Sequence, residues 1–131
     1  MDNTNDFNKL EKAVLEWIEK EYNDPNLIEQ IQQAKFVKRN WTKVGFYVYF
    51  EVPRNLAPLN PNIIKSFPIG NPVIESDDIE LCGTAMLWGR DGYIHSIEMV
   101  SFGNFFNENV HDFKFYDLES YNELQRQKRE K

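Results

Sequence analysis

Four consecutive residues, His95-Ser96-Ile97-Glu98, put an imidazole and a carboxylate three positions apart. Such a pair serves as two metal ligands or as a general acid and base, provided both side chains converge. On a helix this spacing shares a face. On a strand, residues three apart point to opposite faces, and the flanking residues read as strand. The pair is therefore not expected to meet. His95 is expected on a half-buried sheet face, opposite Trp88. His111-Asp112 is the second such pair, but two ligands do not close a zinc site. The single cysteine, Cys82, excludes an internal disulfide. It lies in a strand-like run with no basic cluster nearby to depress its pKa, so it reads as an inert thiol. The six glycines are scattered and form no phosphate loop. No catalytic residue, metal site or cofactor is expected.

Three further groups bear on binding. Glu98 is expected on a sheet face with Leu81, Ala85, Leu87, Ile94, Val100 and Phe102. A carboxylate there needs an ion pair or a hydrogen-bond partner, or else is held for binding or catalysis. Glu75, Asp77, Asp78 and Glu80 make the densest acid cluster, in the run ESDDIE. It lacks the ligand alternation and the glycine of a calcium loop, so it reads as a solvated loop or as a docking patch for a basic partner. Phe105 and Phe106 stand in a loop among Asn, Glu and Gly. They either fold back onto the core or form a contact patch.

The elements that position these groups follow from periodicity. Phe7, Leu10, Val14, Trp17, Ile18 and Tyr22 recur at helical spacing, with Asn5 or Asp6 as the expected N-cap. Asp24-Pro25 reads as a second N-cap followed by proline at the first helical position. Residues 6–34 are thus one helical unit interrupted near Pro25. Val44, Phe46, Val48, Phe50 and Val52 then alternate with polar or aromatic neighbours, the clearest strand in the chain. Phe36–Trp41 is expected to precede it as a strand, with a turn near Thr42. Residues 53–72 hold five of the six prolines and read as a long irregular connection, with a short strand or turn of helix at 63–67.

Asp91-Gly92 is a two-residue hairpin signal, because both central residues must take φ > 0. The register expected from it pairs Arg90 with Tyr93, Trp88 with His95, Met86 with Ile97 and Thr84 with Met99. Phe113 and Phe115 suggest a last edge strand. Asp117 is expected to cap a short C-terminal helix carrying Leu118, Tyr121 and Leu124, which frays into a charged tail over 126–131. Helices followed by antiparallel strands imply an α+β class: the N-terminal helix packed on one curved sheet of about four to six strands.

With 131 residues the chain reads as a single domain, 1–131, able to bury a core without metal or disulfide. Aromatic residues make up 15% of it, a share that argues for a packed core. The net charge is −6 and unevenly spread. Five bases against one acid fall in residues 34–54, and four bases against one acid fall in the last six residues. The remaining body is more acidic than the total. That disfavours nucleic acid, whose phosphates need clustered Lys and Arg, and it suits a basic protein partner. No apolar run reaches membrane-spanning length and the N-terminus has no signal-peptide pattern, so a cytoplasmic setting is expected.

The segment LWGRDGYIHSIEMVSFGNFF resembles a pattern in small bacterial proteins similar to toxin-immunity proteins, carried at Asp91, Gly92, Ile94, Ile97, Glu98 and Gly103. The pattern departs at Phe102, where Tyr or an acid is expected, and in lacking a proline after Gly103. The resemblance implies no catalytic residues. It implies a non-enzymatic, cytoplasmic immunity protein that neutralises a basic toxin domain by direct binding. Glu75, Asp77, Asp78, Glu80, Phe105 and Phe106 are the candidate contacts. The alternative expectation is a cystatin-like or NTF2-like domain with a pocket between helix and sheet, lined by Tyr93, His95 and Glu98. Either reading is compatible with a monomer or a homodimer.

Overall fold

The structure, a computed structural model, describes residues 6–76, 81–101, 114–117, 122–123 and 126–127. Two helices, α1 (Lys9–Tyr22) and α2 (Pro25–Gln33), lead into strands β1 (Lys35–Trp41) and β2 (Gly45–Glu51). One helical turn, α3 (Pro61–Ile64), interrupts the long connection. Then follow β3 (Ile69–Ser76), β4 (Leu81–Arg90), β5 (Tyr93–Ser101) and β6 (Lys114–Tyr116). The six strands form one antiparallel sheet in the order β1-β2-β5-β4-β3-β6. The α+β class and the N-terminal position of the helices are as the periodicity implies.

Helix α1 starts later than expected. Its N-cap is Asn8, not Asn5 or Asp6, in a reciprocal capping box. Asn8 Oδ1 accepts from the Glu11 amide and Glu11 Oε1 accepts from the Asn8 amide, each at 2.8 Å. Asn23 ends the helix in the left-handed conformation (φ 46°). Asp24 then caps α2 through the Leu27 amide, with Pro25 at the first helical position. Leu10, Val14, Leu15 and Ile18 of α1, with Leu27 and Ile31 of α2, are buried against the sheet. From the sheet come Phe46, Val48 and Phe50 of β2, Ala85 and Leu87 of β4, and Ile97 and Met99 of β5.

Two buried polar groups tie the helices to the sheet. Glu11 is fully buried and pairs with Arg39 of β1: Arg39 Nε donates to Glu11 Oε2 at 2.6 Å and Nη2 to Oε1 at 2.7 Å. The same guanidinium lies 4.8 Å over the Phe36 ring. Gln30 of α2 is also fully buried. Its Nε2 donates to the carbonyls of Ala57 and Gly92, and its Oε1 accepts from the Ile94 amide, all at 3.0 Å.

The hairpin turn is as expected, with Asp91 at φ 55° and Gly92 at φ 88°. Its register holds at the first pair only. Arg90 pairs with Tyr93 and Gly89 with Ile94, but Trp88 pairs with Ser96, Leu87 with Ile97, Met86 with Glu98 and Ala85 with Met99. One extra residue, His95, is inserted in β5, and a one-residue slip exchanges the two faces of everything beyond it. Gly89 makes the bulge possible. A Cβ there would meet the Phe67 ring at 2.6 Å and the Tyr93 carbonyl at 2.8 Å. A second irregularity lies between Gly70 and Val73, with Asn71 at φ 59° and its Oδ1 accepting from Thr84 Oγ1 at 2.7 Å. A third, at Val37, leaves that residue out of the β1–β2 pairing.

Residues 69–76, read from sequence as connection and acidic loop, are strand β3. Glu75 is therefore a strand residue, paired with Cys82 on one side and Lys114 on the other. Of the expected C-terminal helix, residues 122–123 and 126–127 are helical, and Arg126 ion-pairs with Glu123 one turn before it. The rest of that helix and of the tail falls outside the described residues.

Replacing Arg39 with Ala strands the Glu11 carboxylate in the core. It should cost about 3–5 kcal/mol in urea denaturation, whereas the double change Glu11→Leu with Arg39→Met should recover most of the loss. Equal losses in both would show that the pair does not act as a unit. Gln30→Leu keeps the volume but orphans the Ala57 carbonyl and the Ile94 amide, while the Gly92 carbonyl keeps the Leu59 amide; the cost is about 1–3 kcal/mol for each group left dry.

Candidate functional site

The bulge at His95 decides where the candidate residues stand. Beyond it, Leu87, Ile97 and Met99 face the helices, and Trp88, Glu98 and Met86 face the other way. Glu98 is thus not among Ala85, Leu87 and Ile94, as the simple register implied. It sits half-buried on the outer face of the sheet, on the side of Val100 but not of the core. Its partner is Trp88, whose Nε1 donates to Glu98 Oε1 at 3.1 Å. Tyr47 is its cross-strand neighbour on β2. The Tyr47 phenol is pushed above its ordinary value of 10.0, first by burial, then by its hydrogen bond with the Glu98 carboxylate and that group's charge. Tyr49 stacks on Tyr47 with ring centroids 6.0 Å apart, and Lys38 Nζ lies 5.2 Å over the Tyr49 ring. Strand alternation puts Glu75 on this same face, since its partner Cys82 is two and four residues from Thr84 and Met86 in β4. The outer face thus combines two carboxylates with Tyr47, Tyr49 and Trp88.

The turn end of the hairpin holds a second feature. Arg54, Arg90, Asp91, Tyr93 and His95 line an open depression of about 340 Å³. Tyr93 organises it. Its hydroxyl donates to the carbonyls of Arg54 (3.1 Å) and Leu56 (3.0 Å), and the Arg54 guanidinium stacks 4.4 Å over its ring. His95 Nδ1 is 2.9 Å from the hydroxyl of buried Ser96, which leaves Nε2 as the ring's other polar atom. A larger, shallower depression adjoins on the far side of the turn, between Pro58, Asn60, Pro61, Asn26 and Gly92.

Of the residues named for a pocket, the structure therefore brings Tyr93 and His95 together and leaves Glu98 on the outer face. The space between helices and sheet is occupied by Val14, Ile18, Leu27, Leu87 and Ile97, each essentially inaccessible. Among the described residues no three of His, Cys, Asp and Glu converge as a metal site would require. Asp77, Asp78, Glu80, Phe105, Phe106, His111 and Asp112 lie outside the described residues. Sequence reasoning missed Arg54, Arg90, Trp88 and Tyr47. The first two flank the hairpin in three dimensions but are far apart in the chain, and the last two needed the true register.

No family model, curated protein or solved structure matches this chain. The site therefore has to be read from its own chemistry. No helix among the described residues is long and apolar enough to cross a membrane.

Burial first, then the charges of Arg90 and Arg54, lower the His95 pKa below its ordinary 6.5. The folded protein thus binds a proton here less readily than the unfolded chain. The stability this contributes is complete above pH 6.5 and is lost as pH falls below it toward the depressed folded value. His95 should titrate below 6.5 by NMR, and the midpoint should rise in Arg54→Ala and Arg90→Ala. A midpoint above 6.5 in the unaltered protein would contradict this electrostatic picture.

Proposed function

We propose that the chain is a non-enzymatic binding protein, an immunity protein that neutralises a basic toxin domain by direct contact, with the outer sheet face as its contact surface. The observation that carries this reading is the arrangement around Glu98. A half-buried carboxylate is held by the Trp88 indole and bordered by the stacked Tyr47 and Tyr49 rings. Trp and Tyr are the side chains most enriched where partner proteins bind tightly. They hold a large apolar area in few rotamers, and each retains a polar handle. A carboxylate set among aromatic rings accepts a lysine or arginine by charge and by cation–π contact together.

Charge supports the choice of partner. The chain carries −6 overall, and the body without its basic tail is more acidic still. Such a field speeds encounter with a basic domain and disfavours acidic competitors. Glu75, on the same face as Glu98, begins the acidic run that continues with Asp77, Asp78 and Glu80. The partner would meet aromatic anchors around Glu98 and the Glu75 carboxylate of β3. Lys38 and Lys114, cross-strand from Tyr49 and Glu75, bring positive charge to the two edges of this face.

The test is co-expression with any basic polypeptide found encoded beside this gene, followed by calorimetry on the purified pair. Trp88→Ala should weaken binding by about 2 kcal/mol or more, as expected for a buried aromatic anchor. Glu98→Arg should slow association and abolish tight binding. Reversing the charge of Glu75, Asp77, Asp78 and Glu80 together should mainly reduce the association rate and its salt dependence. Binding unchanged by all three would overturn the surface assignment. Absence of any complex with the neighbouring product would overturn the function.

A further inference from the structure

We propose that the depression formed by Arg54, Arg90, Tyr93 and His95 is a binding site for a small phosphate-type oxyanion. It lies at the turn end of the β4–β5 hairpin, farther along the strands than the Glu98–Met86 pair.

Three observations converge. First, the local charge runs against that of the molecule. In a chain of net charge −6, this depression is lined by two guanidinium groups and an imidazole, with Asp91 as its one acid. Second, the two arginines have not been spent on internal partners. Among the described residues, neither guanidinium makes an ion pair or a hydrogen bond. Arg39, by contrast, is committed to Glu11. The Arg54 guanidinium lies over the face of the Tyr93 ring. Stacking on a ring orients a guanidinium while leaving its in-plane N–H donors available, and those donors match the oxygens of phosphate two at a time.

Third, the platform is rigid. Tyr93 grips the backbone on both sides of Asn55 through its hydroxyl, so Arg54 is fixed by its carbonyl and its side chain at once. Gln30 fastens the strand beneath through the Gly92 carbonyl and the Ile94 amide. The bulge then turns His95 into the depression, with Nδ1 engaged by Ser96. When Ser96 Oγ donates to Nδ1, the neutral ring carries its proton on Nε2 and presents it as a third donor.

The donor set favours phosphate over a lone carboxylate. Two arginines and one imidazole approach from three different chain segments, which suits three equivalent oxygens and a dianion better than two oxygens and a single charge. The volume of about 340 Å³ is at the small end of ligand sites. It accommodates a phosphate with a short attached group and not a folded partner.

The experiment titrates inorganic phosphate into the full-length protein at low, constant ionic strength and follows the His95 ring signals by NMR. Saturable shifts are expected, with the His95 midpoint moving upward because a bound dianion favours the imidazolium. Arg54→Ala and Arg90→Ala should each weaken binding about tenfold, the loss expected for one charged hydrogen-bonding partner. Arg54→Lys keeps the charge and should recover only part of it. Lys38→Ala, on the edge strand β1 and outside the lining of the depression, should change nothing. Acetate binding as tightly as phosphate would overturn the phosphate assignment. Linear shifts without saturation, or equal shifts in the arginine variants, would overturn the site itself. The two readings have separate readouts, phosphate-induced shifts here and complex formation with a partner there, so failure here leaves the partner-binding reading standing, and failure there leaves this one.

Discussion

The geometry of the hairpin end depends on one buried amide. The β2–β5 ladder runs only from Gly45 opposite Val100 to Tyr49 opposite Ser96, so Ile94 lies past the last residue of β2 that pairs with β5. An amide buried there without a partner would be costly. Gln30 supplies the partner, and the same side chain donates to the carbonyls of Gly92 and Ala57. One side chain thus joins α2, the connection after β2 and the turn of the β4–β5 hairpin. A glutamine suits this role because its amide offers a donor and an acceptor on one rigid plane. The hydrogen bond from the Leu59 amide to the Gly92 carbonyl completes the junction. Arg54, Tyr93 and His95 inherit their positions from it.

The Glu11–Arg39 pair plays the matching part at the other side of the sheet. It fastens the first turn of α1 to the edge strand β1, and the capping box holds the same carboxylate. A buried ion pair is a poor source of net stability, because both charges surrender their hydration. What it supplies is registry: only one seating of α1 on the sheet brings Glu11 over Arg39. Hydrophobic contacts among Leu10, Val14, Ile18 and the strands provide the driving force but tolerate sliding. The two polar junctions remove that freedom.

Much of this was legible in the residues. The alternation of Phe46, Val48 and Phe50, the Asp24-Pro25 helix start and the Asp91-Gly92 turn each carry a local signal that tertiary structure did not override. The bulge at His95 carried none. An inserted residue changes the pairing partner, not the residue type, and the slip moved Glu98 from an expected apolar face to an aromatic outer one. Strand β3 was hidden because Gly70, Asn71 and Pro72 look like a loop, and they do form an irregularity inside the strand. Glu11, Gln30 and Arg39 have the side chains of ordinary surface residues. Only their partners, distant in the chain, mark them as interior. The acidic and phenylalanine candidates at 77–80 and 105–106 lie outside the described residues.

The irregular edge strand β1 has a consequence for how copies of this chain meet. An outermost strand exposes a row of backbone donors and acceptors that a second molecule could extend into a continuous sheet. Here the ladder is broken at Val37, and Lys35 and Lys38 stand on either side of the break, both exposed. A neighbouring copy approaching along this edge would meet its own lysines and a backbone out of phase with its own. Such a break and its two charges disfavour continuation of the sheet by a second strand along this edge.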